Sequence, residues 1–484
     1  MKTEFALSRS VVILAFLVLI ITAFFSKGHH HPDEHYQILE FASFHLGNSS
    51  ADQLPWEYTE QMRPTIQVYL AAAVMKVVQL FGGSPFTVTL VLRLLSALLS
   101  FFSITLIISA FRNKFQSKPA LQTLVFCSFF LWFIVYHNVR FSSENWSGTL
   151  FLIGLAVYLL DFKKSVIRLG IVGLVFGLAF LFRYQLVFMI GGFGLWVLIF
   201  GKLKWSELLS GLLAFVTIVF IGFCLDSSFY GEPVSTFYNY IYQNLVEGKA
   251  ASFGVEPFWW YFSDAFLKGI PPFSLVFIGA LLFLIVKRPK GILSWSVLPF
   301  LLVHCVIAHK ETRFLVPIYF LIPLIVAYAM EILNIDYRKV LEGVKGVKVL
   351  KKLFVYLHIP ILLVVMFKSA DSSVGLYKAV YEQSDHVVLY GINKSPYDGQ
   401  DLNSMNFYKP KEFEYRSVES LNEIQPEDSE VLFVAKEREL FEEAEKLGWS
   451  EVYRSIPAWL KMFNFNEWME RTPQWRLYRI ESPG

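Results

Sequence analysis

The sequence predicts an all-α polytopic membrane protein with about eleven transmembrane helices, followed by a small C-terminal soluble α/β domain. Of the 484 residues, 55% are apolar, and apolar runs of membrane-spanning length recur through the first three quarters of the chain. A soluble protein has no core large enough to bury so many runs, so the lipid bilayer is the expected environment. The net charge of +3 is too small to indicate a nucleic-acid partner.

The loops between the predicted spans test their count. Basic residues recur in the loops that this count places on one side of the membrane, and the positive-inside rule makes that side cytoplasmic. The predicted spans are 8–27, 86–110, 119–137, 144–160, 166–182, 184–200, 207–225, 268–286, 291–308, 313–333 and 351–367. The basic residues are Arg112, Lys114, Lys118, Lys163, Lys164, Arg168, Lys202, Lys204, Lys287, Arg288, Lys290, Arg338, Lys339, Lys345, Lys348, Lys351 and Lys352.

Two apolar stretches admit a second interpretation. The run Val11–Phe25 after Lys2 and Arg9 is either an uncleaved first span or a signal peptide; its length and the lack of a small-x-small cleavage site favour the span. Residues 64–82 are either an outer-surface or re-entrant helix, ended by Gly82 and Gly83, or a true span that inverts the downstream topology. The charge pattern favours the surface helix.

This topology divides the chain into a membrane domain, 1–368, and an extracytoplasmic domain, 369–484. The outer loops 28–85 and 226–267 are long, whereas the inner loops are short connectors, so we expect the chemistry outside. In the tail, three segments resemble strands: His386–Tyr390, Val431–Val434 and Trp475–Ile480. One segment resembles a helix, Glu437–Leu447. The cysteines Cys127, Cys224 and Cys305 lie in apolar segments and are interpreted as packing residues.

The acidic turn His29-His-His-Pro-Asp-Glu-His35 directly follows the first predicted span. Adjacent carboxylates at a membrane surface are costly unless they are solvated or used, so Asp33 and Glu34 are candidates for a general base. The turn could also be a polar helix cap. Metal binding is possible but poorly supported, because consecutive histidine side chains diverge and rarely close on one ion.

The basic turn His309-Lys-Glu-Thr-Arg-Phe314 places Lys310 and Arg313 on the outer side, against the positive-inside trend. Arg63 and Arg183 lie at the same boundary. Outward cations beside outward carboxylates suit a phosphate-bearing ligand, although a basic pair alone could be an interfacial anchor. Asp226-Ser-Ser-Phe-Tyr-Gly231 opens the second long outer loop and is a weak signal by itself.

Together these segments resemble glycosyltransferase family 22, the dolichyl-phosphate-mannose-dependent mannosyltransferases of N-glycan and GPI-anchor assembly. The resemblance covers roughly residues 28–315, and the basic turn is its most similar part. Tyr184 stands where the family has a proline, the Arg140 turn is altered, and the C-terminal domain has no counterpart. The chain is short and loop-poor for a eukaryotic member, so a bacterial relative is expected. The matching segments are His31–Glu34, Leu54–Tyr58 with Arg63, Arg93–Ala97, Arg140–Asn145, Phe182–Arg183, Asp226–Gly231 and His309–Phe314.

The resemblance implies the GT-C fold and an inverting transfer of a sugar, expected to be mannose, from a polyprenyl-phosphate donor to a glycan or glycolipid acceptor outside the cytoplasm. The chain would lie in the bacterial plasma membrane or in the eukaryotic endoplasmic reticulum. The resemblance implies that Asp33 is the general base. Glu34 would be the alternative base, or a partner that orients the acceptor. Donor-phosphate binding would fall to Lys310, Arg313, Arg63, His309 and Arg183, and the substrate loops would contribute Trp56, Glu57, Asp226, Tyr230 and Glu311.

Three other functions remain open. Another GT-C transferase, of the protein O-mannosyl or aminoarabinose type, would share the fold. A lipid-linked transporter or flippase would share the outward charges, but the sequence shows no internal repeat. A non-catalytic scaffold that presents the C-terminal domain predicts that replacing Asp33 is harmless.

Overall fold

The computed structural model describes residues 8–160, 165–335, 345–392, 394–399, 404–424, 430–456, 461–462, 464–472 and 474–480. Lys2, Lys163, Lys164, Arg338 and Lys339 of the predicted topology lie outside these residues. The chain divides into two compact units. The first unit comprises Met1–Ser26, Trp56–Leu70 and Val91–Lys368, and the second comprises Lys27–Pro55, Ala71–Leu90 and Ser369–Gly484.

Each of the eleven predicted spans contains a helix or a bent helix pair. By length and composition, four described helices could cross a membrane, or six if each bent pair is one crossing, so the count of eleven stays a prediction. The four are Pro85–Phe111, Ser165–Phe182, Trp205–Tyr230 and Lys348–Phe367, the last being part of Lys345–Phe367. The bent pairs are Lys118–Phe130 with Trp132–Asn138, and Thr312–Tyr319 with Ile322–Ile332. The shorter helices in predicted spans are Arg9–Phe25, Ser143–Leu159, Tyr184–Phe200, Phe273–Lys287 and Ile292–Val306.

The connecting segments carry short helices. Residues 64–82 contain the helix Ile66–Leu80, and Gly82, where φ is +68°, follows its end as predicted. Whether this helix lies on the surface or crosses the membrane stays a prediction. The other short helices are Asp33–His35, Tyr36–Glu40 (a π-helix), Phe41–His45, Ala51–Gln53, Trp56–Thr59, Thr236–Ile241, Tyr242–Val246, Lys249–Ser252 and Trp260–Lys268.

Small residues let helices of the first unit pack closely. A Cβ on Gly173 would lie 2.0 Å from the carbonyl oxygen of Gly211, and one on Gly192 would lie 1.9 Å from that of Trp295. No larger residue fits at either position without moving the partner backbone. The helix Ser143–Leu159 is buried along nearly its whole length, and its N-terminus is capped by Ser142, which accepts the N–H of Asn145 at 3.2 Å.

The second unit contains a five-stranded mixed sheet, which confirms that the tail forms a small sheet. The strand order is β2-β1-β3-β5-β4, with β1 parallel to β2 and β3, and β5 antiparallel to β3 and β4. The strands are β1 His386–Ile392, β2 Glu412–Val418, β3 Glu430–Ala435, β4 Ser450–Arg454 and β5 Arg476–Arg479. The helices are Ser373–Tyr381, Asn406–Tyr408, Leu421–Glu423, Arg438–Lys446, Phe465–Glu467 and Trp468–Arg471.

Alternate residues of the central strands pack on opposite faces of this sheet. Val387 and Leu389 face one apolar cluster, whereas Val388 and Tyr390 face another, as a period of two requires. The first cluster also contains Tyr36, from the segment Lys27–Pro55. The segment that carries the acidic turn thus shares a core with the C-terminal sheet.

Candidate active site

The acidic turn lies in the second unit. Asp33 and Glu34 begin the short helix Asp33–His35, and both side chains are half-buried. The carboxylate of Asp33 lies 3.4 Å from Nδ1 of His31, and that of Glu34 accepts the N–H of His30 at 3.1 Å. Both acids are therefore held by their own turn and still reach solvent, as a proton acceptor for an incoming hydroxyl must.

The basic turn lies in the first unit, where its arginine joins a buried charge network. Nη1 of Arg183 donates to Oε1 of Glu144 at 2.7 Å, and Nη1 of Arg313 lies 3.5 Å from the same oxygen. Arg313 also forms a two-point contact with Glu311, at 2.6 Å through Nε and 2.9 Å through Nη2. His309 Nε2 lies 3.1 Å from Glu311. The fold thus brings together four of the predicted residues: Arg183, Arg313, Glu311 and His309.

Arg183 keeps unused hydrogen-bonding capacity in this network. Its side chain is 6% exposed, yet Nε and Nη2 have no hydrogen-bond partner among the described residues. The ring of Phe314 lies close to both guanidinium groups, with its centroid 5.1 Å from that of Arg183 and 5.4 Å from that of Arg313. Two adjacent buried guanidinium groups, of which that of Arg183 has unused N–H donors, can bind an oxyanion strongly.

Lys310 uses its donors differently from its neighbour Arg313. Its ammonium group is buried and donates to the backbone carbonyls of Ile307 at 2.7 Å and Glu256 at 2.8 Å, with Ala308 at 3.5 Å. An ammonium has three N–H donors, and backbone carbonyls occupy all three here. Lys310 therefore ties the turn to the loop that contains Glu256.

Arg63 and Glu57 form a second, separate cluster of the first unit. Arg63 Nη2 donates to Glu57 at 3.1 Å, and the hydroxyl of Tyr230 donates to the Arg63 carbonyl at 3.1 Å. Trp56 lies beside this pair in sequence, and its ring faces the ammonium of Lys249 at 4.9 Å. The structure thus groups Arg63, which the resemblance implied for donor-phosphate binding, with Glu57 and Tyr230, which it implied for a substrate loop.

Asp226 is buried, and its hydrogen bonds resemble those of a residue that caps a helix N-terminus. One carboxylate oxygen accepts the N–H and the hydroxyl of Thr65 at 2.8 and 2.7 Å, and the other accepts the hydroxyl of Thr236 at 2.6 Å. Thr65 directly precedes the helix Ile66–Leu80, so Asp226 satisfies a helix N-terminus that would otherwise lack acceptors. No donor group of a substrate is needed to explain its burial.

Glu144 lies in the segment Arg140–Asn145, and the resemblance implied no role for it. It is 3% exposed at the start of the buried helix Ser143–Leu159 and contacts both arginines. A carboxylate inside an apolar helix is itself a signal of function or pairing. That signal is present in the sequence, but the arginines that pair with Glu144 lie 39 and 169 positions away from it.

The described residues contain no group of three or more histidine, cysteine, aspartate and glutamate side chains placed to hold a metal ion.

Near the acidic turn, burial raises the pKa of Tyr36, with a further contribution from the Glu40 carboxylate. Tyr36 therefore stays protonated at neutral pH and adds no charge to the site.

The whole fold matches a solved GT-C enzyme, ArnT from Cupriavidus metallidurans bound to undecaprenyl phosphate. The TM-score is 0.59 at 12% identity, and the match covers 98% of each chain. At that identity the likeness shows the fold alone: this chain has the GT-C fold.

Curated relatives match about two thirds of the chain. GPI alpha-1,2-mannosyltransferase 3 of Bos taurus is 28% identical over 323 residues, which cover 64% of this chain and 57% of that protein. The Homo sapiens protein of the same name is also 28% identical, with coverages of 64% and 56%. The chain thus matches a little over half the length of these relatives. The family model described as the Alg9-like mannosyltransferase family matches residues 10–390, and the chain belongs to that family.

Proposed function

We propose that this protein is an inverting glycosyltransferase that moves mannose from a polyprenyl-phosphate donor to a hydroxyl of a glycan or glycolipid acceptor. The product is an α-mannoside. The observation that carries the proposal is the buried pair Arg183 and Arg313 around Glu144, because it is a preformed oxyanion site in a protein of a mannosyltransferase family.

The lipid phosphate is supported from two directions. The relatives are named as mannosyltransferases, and the structure of similar fold contains undecaprenyl phosphate. A prenyl phosphate combines an anionic head group with an apolar chain, which matches a charged site in a protein rich in apolar helices. The lipid chain would lie between helices, open to the bilayer.

In the proposed reaction, Asp33 is the general base. The acceptor oxygen attacks the anomeric carbon from the side opposite the phosphate, and a new glycosidic C–O bond forms as the bond from that carbon to the phosphate oxygen breaks. The acceptor proton goes to Asp33, and the electron pair of the broken bond leaves with the prenyl phosphate. A single displacement inverts the anomeric configuration, so no carboxylate nucleophile is required. Glu34 orients the acceptor.

Arg183 and Arg313 bind the departing phosphate in this mechanism. Charge grows on that phosphate in the transition state, so cations placed beforehand lower the barrier without an acid catalyst. Glu144 holds both guanidinium groups in place. Glu311 occupies the fork of Arg313 and would be displaced from it by the phosphate, while His309 holds Glu311.

Lys310 supports the phosphate site and contacts the donor only if it releases a backbone carbonyl. Arg63, Glu57, Trp56 and Tyr230 line the substrate loop and are assigned to the acceptor side. Asp226 holds that loop through Thr65 and Thr236.

We place this chemistry on the extracytoplasmic face, with eleven crossings, a membrane domain of residues 1–368 and an outward domain of residues 369–484. Single cysteines introduced at exposed positions of an otherwise cysteine-free chain, such as Asn48 and Lys114, test this topology. An impermeant thiol reagent added to intact cells should label the first and not the second. The reverse labelling contradicts the arrangement.

The test of function is a transfer assay with purified protein, a panel of radiolabelled polyprenyl-phosphate sugars and membrane glycolipid extracts. We expect transfer from the mannosyl donor and an α-linkage in the product. A GT-C transferase of the aminoarabinose type would share the fold, so a prenyl-phosphate aminoarabinose donor belongs in the panel. Transfer of a different sugar corrects the donor, and no transfer from any prenyl phosphate rejects the enzyme class.

A further inference from the structure

A buried, hydrogen-bonded pair of side chains, His35 and Glu40, follows the acidic turn in sequence, and the mechanism above does not use it. Nε2 of His35 lies 2.8 Å from Oε1 of Glu40, and each residue is only 1% exposed. Breaking a buried pair by removing one member is far more disruptive than losing a surface contact, because the other member keeps its desolvation cost. The pair therefore fixes the local backbone firmly.

An unusual backbone brings the two side chains together. Residues Tyr36–Glu40 form a π-helix, whose hydrogen bonds join residues five apart, and His35 and Glu40 are five residues apart. Single π-turns are rare, because they are less stable than an ordinary helical turn, and they occur frequently at functional sites. Here the turn follows immediately after Asp33 and Glu34.

The pair is also fixed to the C-terminal part of the second unit. Oε1 of Glu40 accepts the backbone N–H of Phe407 at 3.0 Å. The ring of His35 stacks on Tyr408, with centroids 5.3 Å apart and planes 23° apart. Tyr408 is itself 2% exposed and stacks on Tyr377 of the sheet-packed helix Ser373–Tyr381.

The covalent path from this pair to the proposed base is short. The N–H groups of His35 and Tyr36 both donate to the carbonyl of Pro32, at 2.9 Å each, and Asp33 lies inside that turn. A shift of His35 therefore moves the backbone that carries Asp33. The second oxygen of Glu40, Oε2, is buried without a hydrogen-bond partner among the described residues, which a purely structural contact would not favour.

We infer that Glu40 and His35 are positioning residues, through which the segment Asn406–Tyr408 of the C-terminal domain holds Asp33 in place for the reaction. The inference rests on the proposed function, since it assigns a role to the environment of the base. It also gives the C-terminal domain a role in catalysis, because its contact with the first outer loop becomes part of the catalytic apparatus.

The test compares Glu40→Ala, Glu40→Gln and Glu451→Ala in the full-length protein. Glu451 pairs with Arg454 and Arg476 at the β4 edge of the sheet and controls for loss of an ion pair in the same unit. We expect Glu40→Ala to lower kcat by about 100-fold, the cost of a misplacement near 1 Å, with donor KM almost unchanged. Glu40→Gln should recover part of the rate, because its amide oxygen still accepts the Phe407 N–H. Glu451→Ala should stay near the wild-type rate.

A second measurement separates positioning from general stability. If Glu40 acts through Asp33, Glu40→Ala should cost little further rate in an Asp33→Asn background, because residues that act as a unit are not additive. Equal fractional losses in both backgrounds, or equal losses in Glu40→Ala and Glu451→Ala, overturn the inference. Near-normal transfer by Asp33→Asn instead rejects the proposed base, which is a distinguishable failure.

Discussion

The acidic turn around Asp33 and the basic turn around Arg313 hold their charges in different environments. Asp33 and Glu34 are half-buried and are bound mainly by their own turn, whereas Arg313 is 9% exposed and is fixed by two carboxylates from different parts of the chain. A base must take up a proton and release it again, so it needs solvent access. A phosphate site gains from rigid, desolvated donors. The two environments suit the two proposed roles.

Asp33→Asn should produce the largest loss of activity, because it keeps the size of the side chain and removes its basicity. We expect kcat to fall by roughly 100- to 10,000-fold, the usual contribution of a general base, while donor KM changes little. Glu34→Gln is the matched control and should lose less. Single-turnover transfer rates with radiolabelled donor measure both, and equal losses would move the base role away from Asp33 alone.

Arg183→Ala and Arg313→Lys should weaken donor use next. Losing charged hydrogen bonds to the phosphate should raise donor KM by roughly 10- to 100-fold. Glu144→Gln should act in the same direction, because it releases both guanidinium groups. Donor titrations at fixed acceptor test this, and a variant whose donor KM equals that of the wild type would remove its residue from the phosphate site.

Lys310→Met should affect stability more than donor binding. Its ammonium holds backbone carbonyls, so the variant should melt at a lower temperature in detergent and raise donor KM less than Arg183→Ala does. Thermal unfolding and donor titration of both variants give the ranking. A larger KM effect for Lys310→Met would mean that Lys310 contacts the phosphate directly.

The smallest effects should come from buried tyrosines of the second unit. Burial raises the pKa of Tyr377 and Tyr397, and that of Tyr415 to about 12. Since these values exceed the unfolded value of about 10, the stability they confer is complete below that pH and is lost as pH rises through the folded-state pKa values. Circular dichroism of the full chain from neutral to alkaline pH should show this loss.

A matched pair of substitutions tests that assignment. The hydroxyl of Tyr377 donates to the carbonyl of Pro396 at 2.8 Å, whereas that of Tyr397 has no hydrogen-bond partner within the described ranges. Tyr377→Phe should therefore lower the free energy of unfolding at neutral pH by about 1 kcal/mol, and Tyr397→Phe should not. Both should reduce the alkaline loss. An unchanged alkaline loss in Tyr397→Phe would mean that its ionisation is not coupled to unfolding.

The sequence predicted the GT-C fold and the C-terminal α/β domain, and its apolar runs coincide with helices. It missed β2 and β4, which are partly exposed edge strands without a continuous apolar run. It also did not indicate that the segment Lys27–Pro55 packs with the tail, because that contact joins residues more than 350 positions apart.

The order of motifs predicted a set of candidate charged residues but not how they are paired. Neighbouring Lys310 and Arg313 appeared equivalent in sequence, yet one contacts carbonyls and the other contacts carboxylates. Glu144 could be suspected from its place in an apolar helix, but its two arginines could be identified only from the folded chain. Local patterns report helices and charges, whereas long-range packing decides partners.

The decisive experiment for this mechanism is an experimental structure with a non-transferable phosphonate analogue of the mannosyl donor. We predict phosphonate oxygens within hydrogen-bond distance, about 3 Å, of the guanidinium groups of Arg183 and Arg313, with the Asp33 carboxylate facing the opposite side of the anomeric carbon. A phosphonate bound away from both arginines, or an Asp33 on the same side of the sugar as the phosphonate, would contradict it.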